Sequence, residues 1–185
     1  MKTISEKVVA FFKKAGYPFT LIDGESSLKT GFSGDNADFR VLVLVDEEDH
    51  LLNVYTLCPI SAPKKKLPAI AELIARINCN LSLGNFDIDM DDGMIAFRTG
   101  IKVGHTELEN ETLYILIFGN SLIMDRYFPA IASVVYDGSI SPKKVLQSLK
   151  DVEDECIQDQ EKDSVENDSS SHKKFNGRMR FFSDN

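Results

Sequence analysis

Apolar side chains recur with helical period at Ile4, Val8, Phe11, Phe12 and Ala15, behind a Thr3/Glu6 capping-box spacing and ahead of Gly16. This predicts a helix over about 4–15 with one buried face and a left-handed glycine stop. Residues 17–23 read as a short strand opening at Pro18, and 24–35, rich in Gly, Ser and Asp, as a loop. Phe39 to Val45 and Leu51 to Leu57 are almost continuously apolar, which predicts central strands covered on both faces. After Pro59 and Pro63, the spacing of Leu67, Ile70, Ala71, Ile74, Ile77 and Leu81 predicts an amphipathic helix closing near Gly84, with Pro68 tolerable only in its first turn.

The pattern then switches to period two: Phe86, Ile88 and Met90 alternate with Asn85, Asp87, Asp89 and Asp91. Asp92-Gly93 signals a two-residue type I′ hairpin, whose register sets Ile88 against Phe97, Met90 against Ile95 and Asp87 against Arg98. From a cap at Asn110, a stripe through Leu113, Leu116, Ile117, Met124, Phe128, Ile131 and Val135 predicts one long helix, broken by Gly119 and Pro129. Ser141-Pro142 opens a last helix carried by Val145, Leu149, Val152 and Cys156. From about residue 159 the sequence turns acidic and serine-rich. The expected organisation is one α+β domain over 1–158 and a disordered tail over 159–185.

Composition adjusts this picture in a few places. At 185 residues with 43% apolar content and twelve Phe, the chain fits one domain with a substantial core. Its 29 acidic against 21 basic residues give −8, a balance that repels polyanions and makes nucleic acid a poor first guess for a partner. Three scattered cysteines, Cys58, Cys79 and Cys156, match neither a disulfide framework nor a zinc spacing and suit a reducing cytoplasm. No apolar run reaches the length of a signal-peptide core or a membrane span, so neither export nor a membrane span is expected.

The candidate chemistry is sparse. Asp87, Asp89, Asp91 and Asp92 resemble a calcium loop until Asp92 falls where the turn needs Gly and Arg98 falls where the bidentate Glu belongs. A solvated strand face with an Asp87–Arg98 pair, worth about 0.2–1 kcal/mol, is the better reading. His50, His105 and His172 are solitary, and Cys58 and Cys79 read as small core residues. No nucleophile with a base, ligand cluster or phosphate loop stands out, so no cofactor or metal is expected. An enzyme would need a cleft of Asp, Arg and Cys residues that sequence order conceals. The stretch 172–182 interleaves Lys173, Lys174, Arg178 and Arg180 with Phe175, Phe181 and Phe182. The plain reading is a disordered tail end without function; such a segment can also dock on a protein, this one's own acidic face included, bind anionic polymers such as single-stranded nucleic acid weakly, or insert at an anionic membrane.

Asn80 with Leu81 and Leu83, Gly84 to Asp89, Asp92-Gly93, Phe97-Arg98, Met124-Asp125, Tyr127-Phe128-Pro129 and Ser141-Pro142 together resemble the YbjN-type bacterial family, named for sensory transduction regulation. The resemblance runs over about 5–150. It implies a non-enzymatic α+β domain, an antiparallel sheet with helices packed on it, similar in fold to type III secretion chaperones, which pairs as a homodimer or binds a protein or peptide segment. Partner-binding candidates are Asp87, Asp89, Met94 and Arg98 on the hairpin, and Phe175, Arg178, Phe181 and Phe182 in the tail.

Overall fold

The computed structural model describes residues 2–22, 26–104, 108–137, 140–149 and 180–182. The first helix, α1 (Ile4–Ala15), forms as its caps require: Glu6 N donates to Thr3 Oγ1 at 3.2 Å, Thr3 N donates to Glu6 Oε2 at 3.0 Å, and Gly16 closes it at φ 71°. A further cap comes from the turn at residues 47–50, where Glu47 accepts from Ile4 N at 3.1 Å and Ser5 N at 2.8 Å. These fill donors that the first helical turn leaves free.

Strands β1 (Thr20–Ile22), β2 (Ser27–Ser33), β3 (Asp38–Asp46), β4 (Leu51–Leu57), β5 (Asn85–Ile88) and β6 (Ile95–Lys102) form an antiparallel sheet in the order β1-β2-β3-β4-β6-β5. The expected loop over 24–35 is corrected at residues 27–33. Gly31 and Ser33 read as turn residues, but Leu28, Thr30 and Phe32 alternate inward and pair with Val43, Val41 and Phe39. A seventh strand, β7 (Arg180–Phe182), pairs with β2 at Gly31–Ser33, so residues 180–182 belong to the sheet although the sequence reading placed them in a disordered tail.

The hairpin is also corrected. Phe86 faces Phe97 and Ile88 faces Ile95, two residues away from the expected register. A slip of two preserves which face each side chain takes, so Phe86, Ile88, Ile95 and Phe97 stay on the inward face. The turn is wider than two residues: Gly93 N donates to Asp89 O at 2.9 Å, and Asp89 N donates to Met94 O at 2.8 Å. Of Asp92 and Gly93 only Gly93 has positive φ, 77°, so the type I′ geometry is not adopted. Met90 consequently lies in the turn, 53% exposed, instead of facing Ile95.

Helix α2 (Leu67–Asn78) follows a short 3-10 turn at Lys64–Lys66 and carries Pro68 in its first turn. The long helix runs as α3 (Asn110–Tyr114), a wide π turn (Ile115–Gly119) and α4 (Asn120–Tyr136). Glu109 holds the capping position with no side-chain cap bond, so Asn110 is the first helical residue, not the cap. Residues 142–149 form α5; Val152 and Cys156 lie outside the described residues.

Helices pack on the face that carries Phe32, Phe39, Val41, Val54 and Phe97, all buried. Asn120 reaches into the sheet from α4, donating to Val54 O at 2.9 Å and Thr99 Oγ1 at 3.0 Å. Pro129 sits inside α4. Asp125 beneath it accepts from Asp35 N at 3.0 Å and Asn36 N at 2.9 Å through its carboxylate, fixing the β2–β3 turn to the helix.

Candidate interaction face

The outward positions of the central strands are the unusual part of this fold. Because side chains alternate, Arg40, Leu42 and Leu44 of β3 and Asn53, Tyr55 and Leu57 of β4 point away from the helices. Pairing carries these rows across the sheet: Leu42 lies beside Tyr55, Tyr55 beside Arg98, Arg40 beside Leu57, and Leu57 beside Ala96. The expectation that β3 and β4 are covered on both faces is therefore corrected. Their inward residues are buried, whereas Leu42, Leu44, Tyr55 and Leu57 are only half-buried, and none of the described helices covers them.

These side chains line a shallow apolar groove of about 410 Å³, closed at one end by Asp87, Asp89 and Met94. Met94 is 43% exposed, a long apolar side chain held over the groove's edge. Its position follows from the turn, since Asp92 Oδ1 accepts from Met94 N at 2.8 Å and Asp89 Oδ1 accepts from Asp91 N at 2.8 Å. The carboxylates thus cap backbone donors of their own turn. Among the described residues, no three His, Cys, Asp or Glu side chains gather where a metal could bind.

Asp87 and Arg98 meet as the sequence suggested, with Arg98 Nε 3.1 Å from Asp87 Oδ2, but on the diagonal, since Asp87 is paired with Ala96 and Arg98 with Asn85. Both side chains are more than 40% exposed, so the pair holds orientation more than it stabilises. Asp87, Asp89 and Met94 line the groove, whereas Arg98 stands beside it, through its pairing with Tyr55 and its bridge to Asp87. Sequence reading missed the groove itself. Its signal was present in the run Phe39 to Val45, where outward Leu42 and Leu44 are as apolar as their inward neighbours.

The tail candidates separate. Phe175 and Arg178 lie outside the described residues. Phe182 is half-buried on the outer face, above Gly31, and shares a depression with Arg40, Leu57 and Met94. Phe181 points the other way, only 8% exposed, with its ring 5.4 Å from Phe32 and 5.0 Å from Tyr17. In this conformation the Phe181 side chain is docked within its own chain, as part of the core.

Two thiols test the idea of hidden nucleophilic chemistry. Burial pushes the Cys58 thiol up to about 11, away from the depressed range of reactive cysteines. Cys79 is exposed, not a core residue as expected, because α2 ends beside it. It borders a cavity of about 340 Å³ between α2, α4 and α5 that also touches Arg76, Arg126 and Lys143. No histidine or carboxylate lines that cavity among the described residues. Arg76 is paired with Glu72 at 2.8 Å, and Arg126 lies over the Tyr127 ring at 5.7 Å.

The architecture defines an α+β protein whose seven-stranded antiparallel sheet has helices on one side and a partly apolar outer side. The chain belongs to the YbjN family, whose profile, described as "Putative bacterial sensory transduction regulator", matches residues 5–133. That match stops short of Ser141-Pro142. Among solved structures, the chain is similar to one titled "Crystal structure of YbjN, a putative transcription regulator from E. coli", at 14% identity and a TM-score of 0.45, covering 72% of this chain and 92% of that one. Comparison with curated proteins finds no match.

Proposed function

We propose that this protein is a non-enzymatic, chaperone-like regulatory adaptor of the cytoplasm that binds another protein through the outer face of its sheet. The observation that carries this reading is the set Leu42, Leu44, Tyr55 and Leu57, apolar at outward positions where a solvated sheet would carry polar side chains. Contiguous apolar surface rimmed by charge is the usual mark of a protein-binding surface. Asp87 and Asp89 supply the rim, Arg98 is paired with Asp87 beside it, and Met94 is an adaptable contact that can repack against different partners. The family description, a regulator of sensory transduction, supports a role exerted through binding. Free thiols at Cys58 and Cys79 accord with a reducing compartment.

A photo-crosslinking residue placed at Leu44, compared with one at Lys13 on α1, tests the reading in living cells. A discrete crosslinked species from Leu44 only, lost when Leu57→Glu is added, is the expected result. A species of twice the chain's mass would make the partner a second copy, a homodimer through the same face. Equal labelling from both positions, or an unchanged crosslink in Leu57→Glu, would remove the outer face from consideration.

A further inference from the structure

The edge of β2 is covered in an unusual way. Its first half pairs with β1, which is adjacent in sequence, whereas Gly31, Phe32 and Ser33 pair with Phe182, Phe181 and Arg180. Two three-residue strands thus share one edge, and the second is joined to α5 through residues 150–179. Those thirty residues have a contour of roughly 100 Å, ample to cross a domain of this size, so connectivity does not dictate that this segment fill the edge.

What places it there is side-chain fit. Phe181 enters a socket of aromatic rings from three directions: Phe12 of α1 at 6.2 Å, Phe32 of β2 at 5.4 Å and Phe118 of the π turn at 4.6 Å, mostly edge-on. Phe182 lies flat over Gly31, where even a Cβ would collide with its ring. The hydroxyl of buried Thr30 is 2.7 Å from Pro18 O and 3.3 Å from Phe182 O, at the junction between the two covering strands. Apart from these features β7 is short, with Arg180 exposed at its start.

We propose that the Gly31–Ser33 edge is a strand-accepting site for extended peptides carrying two adjacent aromatic residues, and that Arg-Phe-Phe at 180–182 is its tethered, exchangeable occupant. The backbone ladder of β2 provides the pairing, the ring socket selects the first aromatic side chain, and the missing side chain at Gly31 selects the second. Tethering raises the local concentration of the chain's own segment, so a partner sequence has to outcompete it, and the edge is closed by default. Covering an edge in this way also suppresses unspecific strand pairing. This site adjoins the outer-face groove, since the depression that holds Phe182 also takes in Leu57 and Met94, but its strand ladder and ring socket use none of Leu42, Leu44 and Tyr55.

The test uses a fluorescent peptide of residues 176–185 and three full-length proteins: wild type, Phe181→Ser/Phe182→Ser with a vacated edge, and that double variant with Gly31→Val. The vacated protein is expected to bind the peptide at least tenfold more tightly than wild type, and Gly31→Val to abolish binding. Leu44→Glu added to the vacated protein leaves the peptide affinity unchanged, which separates this result from the fate of the outer-face reading. Should the double variant fail to fold by circular dichroism, recovery of the native spectrum on adding unlabelled peptide supports the proposal, and no recovery at 1 mM overturns it. Equal affinity for folded wild type and vacated protein, absence of binding to the folded vacated protein, or binding undiminished by Gly31→Val, likewise overturns it.

Discussion

The side-chain amide of Asn36 occupies the hydrogen-bonding place that Pro129 leaves empty. An ordinary residue at 129 would donate its N–H to the carbonyl of Asp125, one turn earlier in α4; proline has none, and Asn36 Nδ2 donates to that carbonyl instead, at 3.1 Å. The kink-prone point of the helix is thereby bonded to the β2–β3 turn. Asn36→Ala is expected to cost about 1–2 kcal/mol by leaving a partly buried acceptor unpaired. In a Pro129→Ala background the loss should shrink, since alanine at that position restores an N–H. Urea unfolding of the four proteins in a double-mutant cycle measures the coupling, and strict additivity would show that the two residues act separately.

Glu47 gives the fold an acid-sensitive contact. Partial burial tends to raise its carboxyl pKa, but hydrogen bonds from Ser5 N and Ile4 N outweigh this and hold it below the ordinary glutamate value. A lowered folded pKa means that the contribution is complete above the unfolded value of about 4.3 and is lost as pH falls through the folded one. Glu47→Ala should therefore cost about 1 kcal/mol at pH 7, the scale of a lost helix cap. The gap to wild type should close as the solution is acidified below pH 4, read as thermal midpoints across a pH series. A gap independent of pH would mean that the side chain acts by packing alone.

Gly93 is fixed by two constraints at once. Its φ of 77° disfavours a side chain, and a Cβ there would run into the carbonyl oxygen of Ala62, whose own N donates to Gly93 O at 2.8 Å. Gly93→Ala is expected to destabilise by more than about 1 kcal/mol and to displace Met94 from the groove edge. Chemical denaturation gives the first quantity. Amide hydrogen exchange at Met94, faster in the variant, reports the second.

Asn120 is fully buried, and its amide nitrogen joins β4, β6 and α4. Asn120→Ala removes those bonds and leaves a cavity, so a loss of about 2–3 kcal/mol is expected. Thermal unfolding decides this, and a loss below about 0.5 kcal/mol would show that the network is dispensable.

Local signals were the legible ones. Thr3, Glu6 and Gly16 bracket α1 because caps are made between near neighbours. The alternation around Phe86 put the right side chains inward even though the turn was misjudged, since a two-residue slip keeps parity. What escaped sequence reading depended on distant partners. Ser27 to Ser33 reads as loop because Gly31 has no side chain to declare a strand, and its reason for being glycine is Phe182, 151 positions later. The outer groove escaped because apolar runs do not reveal whether a second layer covers them; Leu42 and Leu44 look the same under a helix or under a partner.

The pairing of β2 with β7 sets a schedule for biosynthesis. Ser33 is made 147 residues before Arg180, which at 5–20 residues per second is an interval of roughly 7–30 seconds. Strands β3 to β6 can assemble during that time, yet the Gly31–Ser33 edge and the ring socket behind it have no native cover. Until residues 180–182 reach it, this edge is a place where a nascent chain can stick to its neighbours, in addition to the outer groove, and the rate of synthesis sets how long it stays open.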